Sequence, residues 1–199
     1  FKFVGESLKE REIIHHIASS ITKPIPFIIP HSKKLRPSWL IKIGLFLYDN
    51  LGGKSVIPKS KSVNFSRDFP GILKNEFIKG FQYYDLQVDD KELTKLNALD
   101  AQKNNALIIE NNKVIKVNRF DDHWKIYLEK GEVINTKILI NAAGPWINEI
   151  MNEIIKIKSV KSIRLVKGSH IIIKKLYNHE VAFTLQNNDK RIIFVIPYK

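Results

Sequence analysis

Apolar positions along this chain alternate between helical spacing and unbroken runs, and that contrast predicts its elements. Val4, Leu8, Ile14, Ile17 and Ala18, with Arg11 among them, fall on one helical stripe separated by charged residues. Pro37 opens a second helix that ends at Gly52-Gly53, a natural stop. Asp89 or Asp90 offers an N-cap for a third, which carries Leu93, Leu96 and Leu99 and stops near Asn104-Asn105. Trp146, Ile147, Ile150, Met151, Ile154 and Ile155 recur at the spacing of a fourth.

The unbroken or alternating runs predict strands. Pro24 to Pro30 holds too much proline for a helix or a central strand, and reads as an edge strand or extended connector. Residues Lys54 to Gly80 are rich in loop signals. Ala106–Ile109 predicts a short buried strand, Lys113–Val117 and Trp124–Leu128 a meander, and Val133–Ile140 a return strand whose apolar end, Lys137–Ile140, has the character of a buried parallel strand. Ile163–Ile173 predicts a strand with a bulge at Gly168, while Val181–Gln186 and Arg191–Ile196 form a hairpin through Asn187–Lys190. The chain starts within a helix and ends just after a strand, so both termini read as cut from something longer.

Composition adds limits more than direction. The 33 Lys and Arg against 20 Asp and Glu leave a net charge of +13, which favours anionic partners. Lys is scattered through every segment, and no dense basic block with interleaved aromatics marks a nucleic-acid surface, so no nucleic-acid partner is expected. With no Cys, disulfides, thiolate metal sites and cysteine nucleophiles are excluded, which agrees with a reducing compartment. His15, His16, His31, His123 and His179 form no metal spacing. The apolar stretch Trp39–Tyr48 is too short to span a bilayer and contains Lys42. With Lys33, Lys34 and Arg36 ahead of it, it fits an interfacial helix on an acidic membrane, although a core-facing helix is the favoured reading.

The chemistry concentrates at Asn141-Ala-Ala-Gly-Pro-Trp146, between the run Lys137–Ile140 and the fourth helix. Ala142, Ala143 and Gly144 present almost no side chain, so a ligand can approach the backbone, and a helix starting at Pro145 aims unpaired N–H groups at it. That arrangement suits a phosphate or diphosphate, and simple close packing is the structural alternative.

Ser7–Glu12, Pro30-His31 with Leu35–Trp39, Ile43–Asp49, Lys79–Tyr83, Val88–Asp90, Asn141–Trp146, Arg164–His170 and Asp189–Pro197 together resemble, in order and over nearly the whole chain, the FAD-dependent glycerol-3-phosphate dehydrogenases of bacterial respiratory type. The Asn141–Trp146 turn is shared across the flavin amine-oxidase-like superfamily; Arg164–His170 and Leu35–Asp49 point to this family. Its Gly-x-Gly-x-x-Gly turn, the Gly- and Arg-rich segment before the first helix, and the C-terminal phosphate-binding segments have no counterpart, so the chain looks like an internal portion of a longer one.

The resemblance implies a mixed α/β fold. Part of a Rossmann-like FAD-binding domain with a β-meander (1–22 and 89–158) would join part of a mixed or antiparallel-sheet substrate domain (23–88 and 159–199). It implies FAD as cofactor, with Ala143, Gly144 and Trp146 beside its diphosphate and ribityl chain and Val114 near its adenine. It implies oxidation of sn-glycerol 3-phosphate to dihydroxyacetone phosphate, electron transfer to quinone, and a cytoplasmic protein lying peripherally on the inner membrane. His170 matches the family's active-site histidine, close to the reacting carbon; a strand histidine satisfied by backbone groups is the alternative. Lys167 and Arg191 would add positive potential for the substrate phosphate, although such residues are more often solvated. A catalytically inactive remnant, or a half that works beside a separately encoded N-terminal FAD-binding part, is the other expectation.

Overall fold

A computed structural model describes residues 2–32, 36–74, 76–157, 163–187, 189 and 191–198. The expectations placed on Lys33, Lys34, Leu35, Asn188 and Lys190 lie outside the described residues. The chain divides into two compact units, 1–100 with 172–199 and 101–171. Its class is mixed α/β, as expected.

The first unit is built on a five-stranded mixed sheet in the order β2-β3-β1-β7-β8. The strands are β1 (Thr22–His31), β2 (Lys61–Asn64), β3 (Lys79–Val88), β7 (Ala182–Gln186) and β8 (Ile192–Val195). All neighbours are antiparallel except β1 and β7. The expected hairpin of β7 and β8 is present, closed by the Asn187 N–H to the Arg191 carbonyl at 3.0 Å.

The proline-rich segment is a central strand, not an edge. Residues of one parity on a strand turn their N–H groups to the same neighbour, and Pro24, Pro26 and Pro30 share a parity. They stand opposite Leu86, Tyr84 and Gly80 of β3. The Tyr84 carbonyl, opposite Pro26, accepts from Arg11 and Tyr48, as expected at non-hydrogen-bonded pairs of the β1–β3 ladder. The missing donors therefore face β7, where pairing is confined to Phe27 and Ile28, and Ile28 supplies the one N–H of that parity between Pro26 and Pro30. Ile28 is fully buried, packed with Val63, Phe65, Phe69 and Phe183 on one face of the sheet, while Ile25, Phe27 and Ala182 pack on the other.

Helix α1 (Lys2–Ile17) buries Gly5 and Leu8 but leaves Ile17 72% exposed, so the buried stripe is narrower than the apolar spacing suggests. Helix α2 (Ser38–Leu51) follows Pro37 and stops at Gly52, as expected. A Cβ on Gly5 would meet the Leu51 carbonyl at 3.0 Å, so the two helices approach through a glycine. No residue of α2 is buried: Ile41, Leu45, Leu47 and Tyr48 are half-buried, while Trp39, Leu40, Ile43 and Phe46 are exposed. The core-facing expectation thus holds for one side, because this helix is apolar on more of its circumference than the sheet can cover. Within the loop-rich Lys54–Gly80 segment, β2 is followed by the short helix α3 (Phe65–Asp68), capped by Asn64. Helix α4 (Asp90–Lys103) is capped by Asp89, whose carboxylate accepts the Glu92 N–H at 3.1 Å, and ends before Asn105 at φ 66°. None of its residues is buried.

In the second unit, β4 (Val114–Arg119), β5 (Trp124–Leu128) and β6 (Val133–Thr136) form the expected antiparallel meander. Val117, Ile126 and Leu128 make its buried face, with Ile154 and Ile155 packed against it. Two expected strands, at 106–109 and 163–173, are not formed, and the expected return strand Val133–Ile140 forms only over β6. Residues 106–110, 137–143 and 163–173 join no ladder among the described residues, and Leu107, Ile138, Ile140, Val166 and Ile171 are 74 to 84% exposed. Apolar content sets the preference, but a strand exists only where a neighbour accepts its backbone hydrogen bonds.

Candidate functional site

The turn singled out in the sequence leads into a helical segment, as anticipated, but one of three consecutive kinds. A 3-10 turn at Gly144–Trp146 is followed by α5 (Ile147–Glu149) and a π-helical stretch at Ile150–Ile155. The Asn141 side chain organises the entry: its Nδ2 donates to the Ile147 carbonyl at 3.2 Å and its Oδ1 accepts the Ala143 N–H at 3.2 Å. Ile154 and Ile155 seat the far end of the segment on the meander.

The expected cluster of free amides is smaller than the sequence suggests. Ala143 gives its N–H to Asn141, Trp146 gives its own to the Ala143 carbonyl at 3.1 Å, and Pro145 has none. Gly144 holds φ 54° and its N–H has no partner among the described residues. The residue is exposed, and a Cβ added there would meet nothing within 4 Å. The small, exposed backbone, with the Ala142 and Gly144 N–H groups unpaired among the described residues, fits the close approach of a diphosphate oxygen. Trp146 beside it is 63% exposed.

The other candidates are distributed. Val114 begins β4, pairs with Leu128 beside a bulge, and packs partly buried against the meander core. Lys167 and His170 lie exposed in the second unit, in the stretch without a ladder, and His170 makes no hydrogen bond among the described residues. The strand histidine satisfied by its backbone is therefore not what forms. Arg191 belongs to the first unit, where its Nε donates to Asp189 at 2.7 Å and its N–H to the same carboxylate at 3.0 Å; both contacts hold the Asp189 carboxyl below its usual range. Two cavities, of about 440 and 240 Å³, border α2, and neither is lined by a candidate residue. No group of three or more His, Asp or Glu able to hold a metal ion occurs among the described residues.

Sequence reasoning did not reach the polar anchor of the first unit. Arg11 donates to the Tyr48 hydroxyl at 2.8 Å and to Glu12 at 3.0 Å, and Glu12 accepts from the Ser55 hydroxyl at 2.6 Å and the Val56 N–H at 3.2 Å. Burial and the nearby Asp85 push the Tyr48 hydroxyl well above its ordinary range. The only signal was a charged residue on an apolar stripe.

Residues 2–199 match the family model of the FAD dependent oxidoreductases. The chain belongs to the FAD-dependent oxidoreductase family. FAD is that family's cofactor and oxidation–reduction its chemistry, as the turn and the motif series anticipated. The chain is 42% identical to a glycerol-3-phosphate dehydrogenase of Pseudomonas aeruginosa, matching 100% of this chain and 39% of that one. It is 36% identical to the aerobic glycerol-3-phosphate dehydrogenase of Escherichia coli and 37% identical to the D-erythritol 1-phosphate dehydrogenase of Brucella abortus, spanning 40% and 41% of their lengths. It thus spans about two fifths of the length of these relatives. Its fold resembles the Bacillus halodurans glycerol-3-phosphate dehydrogenase complexed with FAD (TM-score 0.56, 17% identity, 96% of this chain and 35% of that one). It also resembles the L-proline dehydrogenase of P. horikoshii (TM-score 0.57, 17% identity, 98% and 55%).

Proposed function

We propose that this chain is a segment of a flavoprotein that oxidises sn-glycerol 3-phosphate to dihydroxyacetone phosphate, with FAD reduced and electrons passed on to quinone. The observation that carries this reading is the end-to-end match, at 36 to 42% identity, to proteins named for that dehydrogenation. In this reading 1–22 and 89–158 belong to the FAD-binding domain and 23–88 and 159–199 to the substrate domain. The five-stranded sheet supports the grouping of 23–88 with the C-terminal residues, since its strands come almost wholly from these segments, while the compact units put 1–22 and 89–100 with that sheet and 159–171 apart from it.

The Gly144 N–H would donate to a diphosphate oxygen, Ala143 and Trp146 would flank the diphosphate and ribityl chain, and Val114 would sit near the adenine. Bound FAD supplies the acceptor for the hydride leaving the carbinol carbon. His170 would take the hydroxyl proton as the carbonyl forms, and Lys167 and Arg191 would supply positive potential for the phosphate. Quinone as acceptor would place the protein on the cytoplasmic face of an acidic inner membrane; among the described residues no helix is long and apolar enough to cross one. The test is FAD titration followed by anaerobic addition of glycerol 3-phosphate or erythritol 1-phosphate. Bleaching of the flavin band by glycerol 3-phosphate supports the reading; bleaching by erythritol 1-phosphate alone reassigns the polyol.

A second reading is favoured by the exposed apolar runs at 137–140 and 163–173: a remnant, or a half that needs a separately encoded FAD-binding part. Flavin uptake only after mixing with a polypeptide carrying the Gly-rich turn distinguishes the half-protein. No uptake in either case marks the remnant.

A further inference from the structure

We draw no further inference here: the strongest candidate, the exposed apolar face of α2 that carries Trp39, Leu40, Ile43 and Phe46, is unpartnered among the described residues, and nothing in the structure shows what covers it.

Discussion

Arg11 Nη1 donates to the Tyr48 hydroxyl at 2.8 Å, and this one bond ties the first helix to the second. The guanidinium also reaches the Tyr84 carbonyl at 3.4 Å and lies 5.4 Å from the Tyr48 ring centre, with its Nε buried and unpaired. Arg11→Ala removes a donor from both the Tyr48 hydroxyl and the Glu12 carboxylate and the positive charge beside the latter, and is expected to lower stability by about 2–4 kcal/mol. Tyr48→Phe, which removes a single hydroxyl, should cost about 1 kcal/mol. Urea unfolding of the two variants measures the difference, and equal costs would refute the shared-anchor account.

Glu12 gives this anchor a pH dependence. Burial alone would raise its carboxyl, but hydrogen bonds from Ser55, Arg11 and Val56 outweigh that and hold it below the ordinary value of 4.5. A carboxylate favoured by folding contributes stability that is full above the ordinary value and is lost as pH falls through the lower folded one. Glu12→Gln should therefore flatten the stability profile between about pH 5 and pH 3 while lowering it at neutrality. Unchanged acid sensitivity in thermal melts would contradict this.

The alternation in β1 makes a sharp prediction at Ile28. Ile28→Val should cost about 0.5–1.5 kcal/mol, the usual loss for one buried methylene. Ile28→Pro removes the one donor facing β7 between Pro26 and Pro30 and should cost about 3 kcal/mol or more. Near-wild-type stability of the proline variant would show that β7 is held otherwise.

Asn141 and Gly144 separate two contributions to flavin uptake. Asn141→Ala frees the Ala143 N–H and the Ile147 carbonyl, and is expected to weaken FAD binding about tenfold by loosening the turn. Gly144→Ala places a Cβ in open space, so its cost of about 1–2 kcal/mol comes from the positive φ alone. Flavin fluorescence titration and urea melts read the two effects, and an unaltered FAD affinity in Asn141→Ala would remove the turn from the cofactor site.

His170→Gln tests the proton-acceptor role. In FAD-loaded protein the rate of flavin reduction should fall about 10²–10⁴-fold with little change in FAD affinity. Lys167→Ala and Arg191→Ala should instead raise KM. A reduction rate unaffected by His170→Gln would assign the proton to another group.

The elements legible in the sequence are those whose evidence is local. The helix spacing of α1, α2 and α4, the Asp89 cap and the turns of the meander all depend on neighbours along the chain, and all appear. The elements misread depend on partners across space. Pro24 to Pro30 suggested an edge because composition records three missing donors and not their shared parity. Ile138, Ile140 and Ile171 suggested buried strands because apolarity does not reveal whether a ladder exists. β3 was hidden by Gln82, Asp85 and Gln87, polar residues that interrupt its pattern even though it pairs along the full length of β1. At the candidate site, the small residues of the turn were legible, but the use of the Ala143 amide by Asn141 was not.

The shared parity of Pro24, Pro26 and Pro30 also guards the alignment of the sheet. Sliding β1 by one position against β3 would put three imino nitrogens where donors are required and turn Ile28 away from its aromatic surroundings. Mispaired arrangements are thereby disfavoured twice over, so these rings act as a built-in proofreader of strand assembly.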